Sequence, residues 1–550
     1  MKAGGLPLFG GGRFLHVISR IPKDPGPFFR SRPVVFRKDF FYNDKYKIAC
    51  GADHTGAAKG GNTIGKEKAL SPKRAARKRE KEARQLARLE REQAKSKPAG
   101  YMAYFMLIIS VIYIADEVTS QIGAQMQSVI ANQIFAPVVG AEFAVARMST
   151  LGMAALPFTV VAMFIYNPLS DRYGRKIFLV INTLGMGLGT MLISIATNIP
   201  VYILGACCIS FFIPHDMQAV YIYESTPSQH RAKIYSVVKA VATVGMMIIP
   251  LLRSAFIPGT DLTEWRMVYR VPSILAFVVA IAALFLIRES DAFLESRIRQ
   301  LKMTDEEREA AKEKKQVTGE NIGVVEGFKY ILSHKQRLWV GIANGFTICG
   351  MVITMYYEST MTHGFAQHFV ARGMDLETAK LEATAYVSMA LMLFPIGSAL
   401  FQAVQGFFSD AWGRKPTAIL MSAVSMITFL IFYIGANRFW NPYLVGFLAG
   451  AAVGSYWASG DIVGLIATES TPTTVRASVG AAGPIVMGII ALPVFVIFFV
   501  LMNVVGDTMI GPLCLIYSTI GLGIGLLILW IKVKETKGVD LANLKGDEFE

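Results

Sequence analysis

The chain has 550 residues, 53% of them hydrophobic and only 17% charged, with a mean hydropathy of +0.43. That is too apolar for a soluble protein of this length. Five cysteines without framework or metal-ligand spacing, no phosphate-cradling glycine loop and no nucleophile elbow set aside a disulfide scaffold, a metal or cofactor site and an enzyme. The formal net charge of +15 is concentrated outside the apolar stretches.

In chain order, residues 1–63 are rich in Gly, Pro and Arg with no apolar periodicity, and are expected to be disordered. No apolar run of secretory-signal length lies near Met1. Asp24 is the single acid before Asp39, the charge balance of an organelle transit peptide, but Pro22, Pro25 and Pro27 oppose the helix such a leader needs. Strong helix formers dominate Lys73 to Lys95, between Pro72 and Pro98, predicting a charged helix within 66–97. Leu86 and Leu89 are its large apolar residues, so it has almost no face to bury. A basic helix beside a membrane meets anionic lipid headgroups; no nucleic acid is expected as partner.

From Tyr101 onward, apolar stretches of about 20 residues recur, the length that crosses ~30 Å of hydrocarbon. The sequence predicts twelve spans: 103–131, 147–168, 177–196, 200–224, 235–257, 268–288, 338–359, 384–408, 416–436, 441–468, 475–502 and 510–531. Spans one, four, ten and eleven are long enough to be tilted or broken, at residues such as Pro214, Gly460, Pro484 and Pro493. Lys and Arg crowd the 1–100 tail, the turns at 169–176, 229–233 and 409–415, the 288–337 connection, Arg476 and the 532–545 tail. The alternate loops, 132–146 among them, are poor in them, so both termini are expected in the cytoplasm; the loop at 360–383 has mixed charge. The domain plan is therefore a 1–100 cytoplasmic tail, a six-helix bundle at 101–288, connecting helices at 289–337, a second bundle at 338–531 and a tail at 532–550. Within the connection, Thr304 and Glu307 have capping-box spacing.

The second half repeats the first. Asn167-Pro-Leu-Ser-Asp-Arg-Tyr-Gly-Arg-Lys176 returns as Gly406-Phe-Phe-Ser-Asp-Ala-Trp-Gly-Arg-Lys415, and Glu224-Ser-Thr-Pro-Ser-Gln-His-Arg-Ala232 as Glu469-Ser-Thr-Pro-Thr-Thr-Val-Arg-Ala477. Asp410 follows Asp171 by 239 residues and Arg476 follows Arg231 by 245. Gly174 and Gly413 permit a tight reversal between spans. The charges at these partly desolvated helix ends form a two-state latch: Asp171, Arg175, Glu224, Arg231 and Glu289 in one half, Asp410, Arg414, Glu469, Arg476 and Glu535 in the other.

These paired turns resemble the major facilitator superfamily, whose hallmark is an Asp-Arg-x-Gly-Arg-Lys/Arg turn between its second and third spans. Within it the chain is most similar to the sugar-porter and metabolite–proton symporter branches, through the Glu-x-x-Pro-x-x-x-Arg pattern and Lys534-Glu-Thr-Lys-Gly538. Arg288-Glu-Ser-Asp-Ala-Phe-Leu294 is a weaker echo of their Pro-Glu-Ser-Pro-Arg motif. The resemblance covers 101–545 and implies an all-α membrane protein, two pseudo-symmetric six-helix bundles of the MFS fold, with no metal and no cofactor.

Acids within spans are costly and usually functional. Asp116 and Glu117 fall midway along span one, and Asp216, beside His215, lies in span four as Asp461 lies in span ten. A carboxyl group desolvated there is poised to load a proton on one side and release it on the other. Asp116, Glu117, His215, Asp216 and Asp461 are the coupling candidates, with Lys239 and Arg253 placed to neutralise an acid. Gln121, Gln125, Tyr221, Asn344, Tyr357, Glu358 and Trp457 are the solute-binding candidates. The resemblance locates the coupling Asp near Asp116, but Leu204 stands near the family's partner Arg, and Asn344 alone represents the Gln-Gln pair of hexose porters. The expectation is a monomeric, multi-pass carrier in the cytoplasmic or plasma membrane. It moves a sugar-like or other polar, even cationic, solute by alternating access with proton symport. The rivals are a proton-driven antiporter exporting an organic cation or drug, and a non-transporting solute sensor.

Overall fold

The computed structural model describes residues 72–95, 98, 100–213, 217–225, 238–239, 241–304, 306–307, 310, 324–472 and 475–539. The expected disorder at 1–63, and His215, Asp216 and Arg231, lie outside the described residues. All regular structure in the described residues is helical.

The charged helix forms as α1 (Pro72–Gln93), with proline at its first position, where its missing N–H costs nothing. The first half follows: α2 (Tyr101–Gln125), extended through a π turn at Ala131–Phe135 to Val139, then α3 (Ala144–Gly152), α4 (Leu156–Tyr173), α5 (Arg175–Ser194), α6 (Ile199–Phe212), α7 (Met217–Ser225), α8 (Ile248–Phe256) and α9 (Trp265–Leu286). Two connecting helices are α10 (Asp291–Lys302) and α11 (Val324–Ser333). The second half comprises α12 (Lys335–Thr347), α13 (Met351–Val370), α14 (Leu376–Leu391), α15 (Phe394–Trp412), α16 (Arg414–Asn437), α17 (Pro442–Glu469), α18 (Arg476–Val505) and α19 (Ile510–Lys532).

Eight helices among the described residues are long and apolar enough to cross a membrane, or nine if Gln127–Val139 and Ala144–Thr159, bent by 100°, form one span. Ile199–Phe212 and Val241–Phe256 are shorter apolar helices at the expected fourth and fifth positions. Several expected boundaries need correction. The loop at 360–383 is mostly helix, because α13 and α14 leave only residues 371–375 between them. The loop at 132–146 is likewise helical to Val139. Spans ten and eleven, expected to be tilted or broken, are continuous helices of 28 and 30 residues, the latter containing Pro484 and Pro493. Hydropathy detects apolar content, so it stops where a helix merely turns polar, and it cannot say whether a proline interrupts.

The apolar core is shared at one end and split at the other. One cluster runs from Val118 and Trp265 in the first half to Tyr357, Phe394 and Phe498 in the second. Nearer the Gly174 and Gly413 turns, Phe105, Tyr221 and Ile287 form a first-half cluster, while Val340, Ile466 and Leu529 form a separate second-half one. Glycines draw helices together in the second half. A Cβ on Gly446, Gly450 or Gly454 of α17 would collide with backbone of Ala390, Phe394 or Ser398 in the α14–α15 segment.

The sequence expectation for α1 also needs correction, because its Leu pair does find a partner. Leu89 is 9% exposed and, with Leu86, packs on Phe293, Leu294, Ile298 and Leu301 of α10. Lys302 adds an ion pair to Glu90 at 2.8 Å. Helix α10 starts at Ser290, whose hydroxyl accepts from the Phe293 N–H, with Asp291 in its first turn and Arg299 and Lys302 in its last. Downstream, Thr304 and Glu307 exchange the two bonds of a capping box, at 2.8 and 3.2 Å.

Candidate functional site

The repeated turns build two matching charge clusters. Arg175 donates through Nε to Glu224 Oε1 at 3.1 Å and through a guanidinium NH₂ nitrogen to Ser170 Oγ at 3.0 Å. Arg414 does the same to Glu469 at 3.2 Å and Ser409 at 3.1 Å. The second Glu224 oxygen takes the Ser290 hydroxyl at 2.5 Å, and that of Glu469 takes the Thr536 hydroxyl at 2.7 Å. Glu289 accepts the backbone N–H of Arg175 and Lys176 at 2.9 and 3.1 Å; Glu535 accepts those of Arg414 and Lys415 at 2.8 and 2.9 Å. Each carboxylate thus caps the amino end of the helix beginning at the turn, where free N–H groups and the helix dipole favour an anion.

The glycines explain the fit. Gly174 has φ 120° and Gly413 φ 112°, outside the range side chains tolerate. An added Cβ would strike the Glu289 carboxylate at Gly174 and lie 2.8 Å from Glu535 Oε2 at Gly413. Burial pushes the Glu289 carboxyl above the usual range, and Glu224 adds to that, while the N–H groups of Lys176, Ser290 and Arg175 pull it down.

Among the described residues, these bonds of each cluster stay within its own half. Asp410 joins Arg414 at 2.6 Å but is 80% exposed, and the Asp171 side chain lies outside the described residues. Arg476 departs from its expected place: its guanidinium donates to the Thr471 carbonyl at 3.0 Å instead of joining Glu469. Ser170, Ser409, Ser290 and Thr536 were missed; the Ser-Asp and Glu-Ser/Glu-Thr repeats were the available signal.

The halves meet at the opposite end. Arg253 of α8 and Glu358 of α13 are fully buried and form an ion pair at 3.1 Å. Arg253 also donates to the Gln125 carbonyl and to Ser388 Oγ at 3.3 Å, and the Ser128 N–H donates to Glu358 at 2.9 Å. Gln127, Ser128 and Ser359 continue the link. Asp507 carboxylate oxygens accept the Val145 and Ala146 N–H groups at 2.8 and 2.9 Å, so a second-half acid caps first-half α3. Asn503 reaches Thr150 Oγ1 at 2.6 Å. Sequence reasoning missed Asp507. Its signal was its place as a lone acid after Gly506 between two long apolar helices.

Of the intramembrane candidates, Asp116 is 8% exposed and accepts the Gln218 side-chain amide at 2.9 Å, joining α2 to α7. Glu117 is half-buried one residue on. Asp461 is exposed, takes a 3.2 Å bond from Gln405, and lines a cavity of about 230 Å³ together with Asn344, Trp457, Tyr456 and Met487. Three solute and coupling candidates therefore converge there. Gln121 is half-buried and Gln125 wholly buried. Tyr221, Tyr357 and Glu358 are placed differently: Tyr221 is enclosed beside Phe105, Tyr357 stacks on Phe394 at 4.3 Å, and Glu358 sits in the seam. All three are fully buried, their side chains packed against neighbouring helices.

Two matched helical halves, joined at one end and, among the described residues, each with its own core cluster and charge cluster at the other, define a carrier architecture. The Major Facilitator Superfamily model matches residues 99–384, just over half of the chain, and the protein belongs to that family. It is an integral multi-pass membrane transporter and not an enzyme. The galactose-proton symporter of Escherichia coli strain K12 is 24% identical over 402 residues, covering 68% of this chain and 81% of that one. The putative metabolite transport protein YwtG of Bacillus subtilis is 24% identical over 403 residues, 69% and 82% of the two chains. Among solved structures, a D-xylose-proton symporter aligns with a TM-score of 0.56 at 16% identity, covering 80% of this chain and 99% of that one. Inward-open XylE from E. coli aligns at 0.54, with the same identity and 98% of its chain covered. At such identities the structural likeness concerns the fold.

Proposed function

We propose that the protein is a monomeric proton-coupled symporter of a sugar-like polar metabolite, working by alternating access and held here with its cytoplasmic side parted. The observation carrying this reading is the one-ended seam: Arg253–Glu358 and Asp507 tie the halves together away from the repeated turns, while the Arg175 and Arg414 clusters each serve their own half. Positive charge at the turn end supports a cytoplasmic location for it. In the alternate state the far-end links break, the halves rock, and the turn ends of the two bundles approach. The names of the galactose and D-xylose relatives supply the sugar class.

Asp116 is the coupling group in this reading. It is a buried acid with a neutral amide partner, able to be held in either protonation state by Gln218. Asn344, Trp457 and Asp461 supply the second-half wall of the solute site. The test is uptake of labelled D-galactose, D-xylose and D-glucose into proteoliposomes with an imposed pH gradient. Accumulation with an acidic exterior, collapsed by a protonophore, supports the reading; export against that gradient replaces symport by antiport, and binding without flux makes the protein a sensor. Asp116→Asn should abolish accumulation yet leave solute exchange between loaded vesicles and medium. Undiminished accumulation by that variant removes Asp116 from coupling.

A further inference from the structure

A cleft of about 1120 Å³ lies where α1 rests on the turn end of the first half. Four of its basic residues, Arg77, Lys81, Arg84 and Arg88, recur at four-, three- and four-residue steps and so share one face of α1. Arg172 and Lys176 of the Gly174 turn also line it. Against seven bases stand three acids, Glu82, Glu92 and Glu289, and Glu289 is engaged with backbone N–H groups. The charge is therefore net positive.

The rest of the lining is apolar and open. Ile177 and Ile181, one turn apart on α5, and Leu284 on α9 are each 38–40% exposed. Both helices are long and apolar enough to span a membrane. A basic rim over exposed aliphatic side chains matches a molecule with a negative head and a hydrocarbon tail; a soluble anion uses only the rim. Helix α1 is fixed over the cleft by the Leu86–Leu89 contact with α10, the Lys302–Glu90 pair and a Gln85 bond to the Arg172 carbonyl at 3.2 Å.

We propose that this cleft holds one anionic phospholipid, its phosphate among Arg84, Arg88, Arg172 and Lys176 and an acyl chain along Ile177, Ile181 and Leu284. The phosphate stands beside the turn whose next residue, Arg175, is bound to Glu224 and Glu289, so the lipid braces α1 and the first-half cluster together.

Native mass spectrometry of the full chain, released from micelles holding equal phosphatidylglycerol and phosphatidylcholine, tests the proposal. One phosphatidylglycerol should be retained in preference to phosphatidylcholine. The triple variant Lys81→Gln/Arg84→Gln/Arg88→Gln changes only exposed side chains. It should lower retention about a hundredfold, since Arg84 and Arg88 at the phosphate and Lys81 on the same rim each give roughly a factor of five near an anionic headgroup. Ile181→Trp, which keeps every charge but fills the floor, should also lose the adduct. Equal retention of both lipids, or an unchanged adduct in the triple variant, overturns the proposal. So does thermal stabilisation by soluble glycerophosphoglycerol equal to that by the lipid, or displacement of the lipid by an oligonucleotide.

Discussion

The same pair of residue types, arginine and glutamate, does opposite work at the two ends of the molecule. At the turn end, Arg175–Glu224 and Arg414–Glu469 retain 13–20% side-chain exposure and knit each half to itself. At the far end, Arg253–Glu358 has no exposure and knits the halves to each other. Partly wet pairs contribute modestly and reform easily with water. A dry pair is costly to assemble and far costlier to leave half-made. Burial, more than residue type, decides which charges organise a bundle and which seal it.

The sharpest way to break this contrast is Arg253→Met, which strands Glu358 and should cost ~3–5 kcal/mol in thermal unfolding. Arg253→Met/Glu358→Leu should regain most of that loss, whereas a silent single variant would remove the seal from the mechanism. Next come the turns: Gly174→Ala and Gly413→Ala should each cost roughly 1–3 kcal/mol for backbone in a region closed to side chains. The loss should be larger at Gly174, where the methyl meets Glu289 more closely.

Glu289 sharpens the comparison through pH. Its carboxyl is raised by burial, so protonation favours the folded protein. That contribution is fully present below the ordinary glutamate pKa of about 4.3 and is lost as pH rises through the higher folded value. Denaturation midpoints of the wild type relative to Glu289→Gln should therefore rise as pH falls across that window; a flat difference means the carboxylate is adequately solvated. The smallest effect belongs to Asp410→Asn, within about 0.5 kcal/mol, because the side chain is 80% exposed.

How much of this could be read from the sequence depended on how local the cause was. The paired clusters were legible because Arg175, Glu224, Arg414 and Glu469 sit in segments that recur with their glycines, and Glu289 and Glu535 precede a Ser or Thr in each copy. The helix cap at Thr304 was legible for the same reason, whereas Ser290, equally local, was missed. The far-end seal was not legible as a seal: Arg253 and Glu358 are 105 residues apart, and only packing reveals their contact. The core packing of Tyr221 and Tyr357 was hidden for a related reason, since an aromatic ring in an apolar helix fits a cavity wall and a core equally well. The docking of Leu86 and Leu89 depended on an apolar strip about 200 residues away, on α10. The extent of α13 and α14 escaped hydropathy because their polar turns remain helical.

Helix α17 carries one last consequence. Its glycines mesh so closely with α14 and α15 that the three cannot slide, and its 28 residues make a rod of ~42 Å. Trp457 and Asp461 sit partway along that rod and Glu469 at its tip. A stiff lever of this kind converts a slight tilt near Gly446 into a larger sweep at Glu469. Any tilt of the shaft at Trp457 and Asp461 is thus carried to the Arg414–Glu469 cluster at its end.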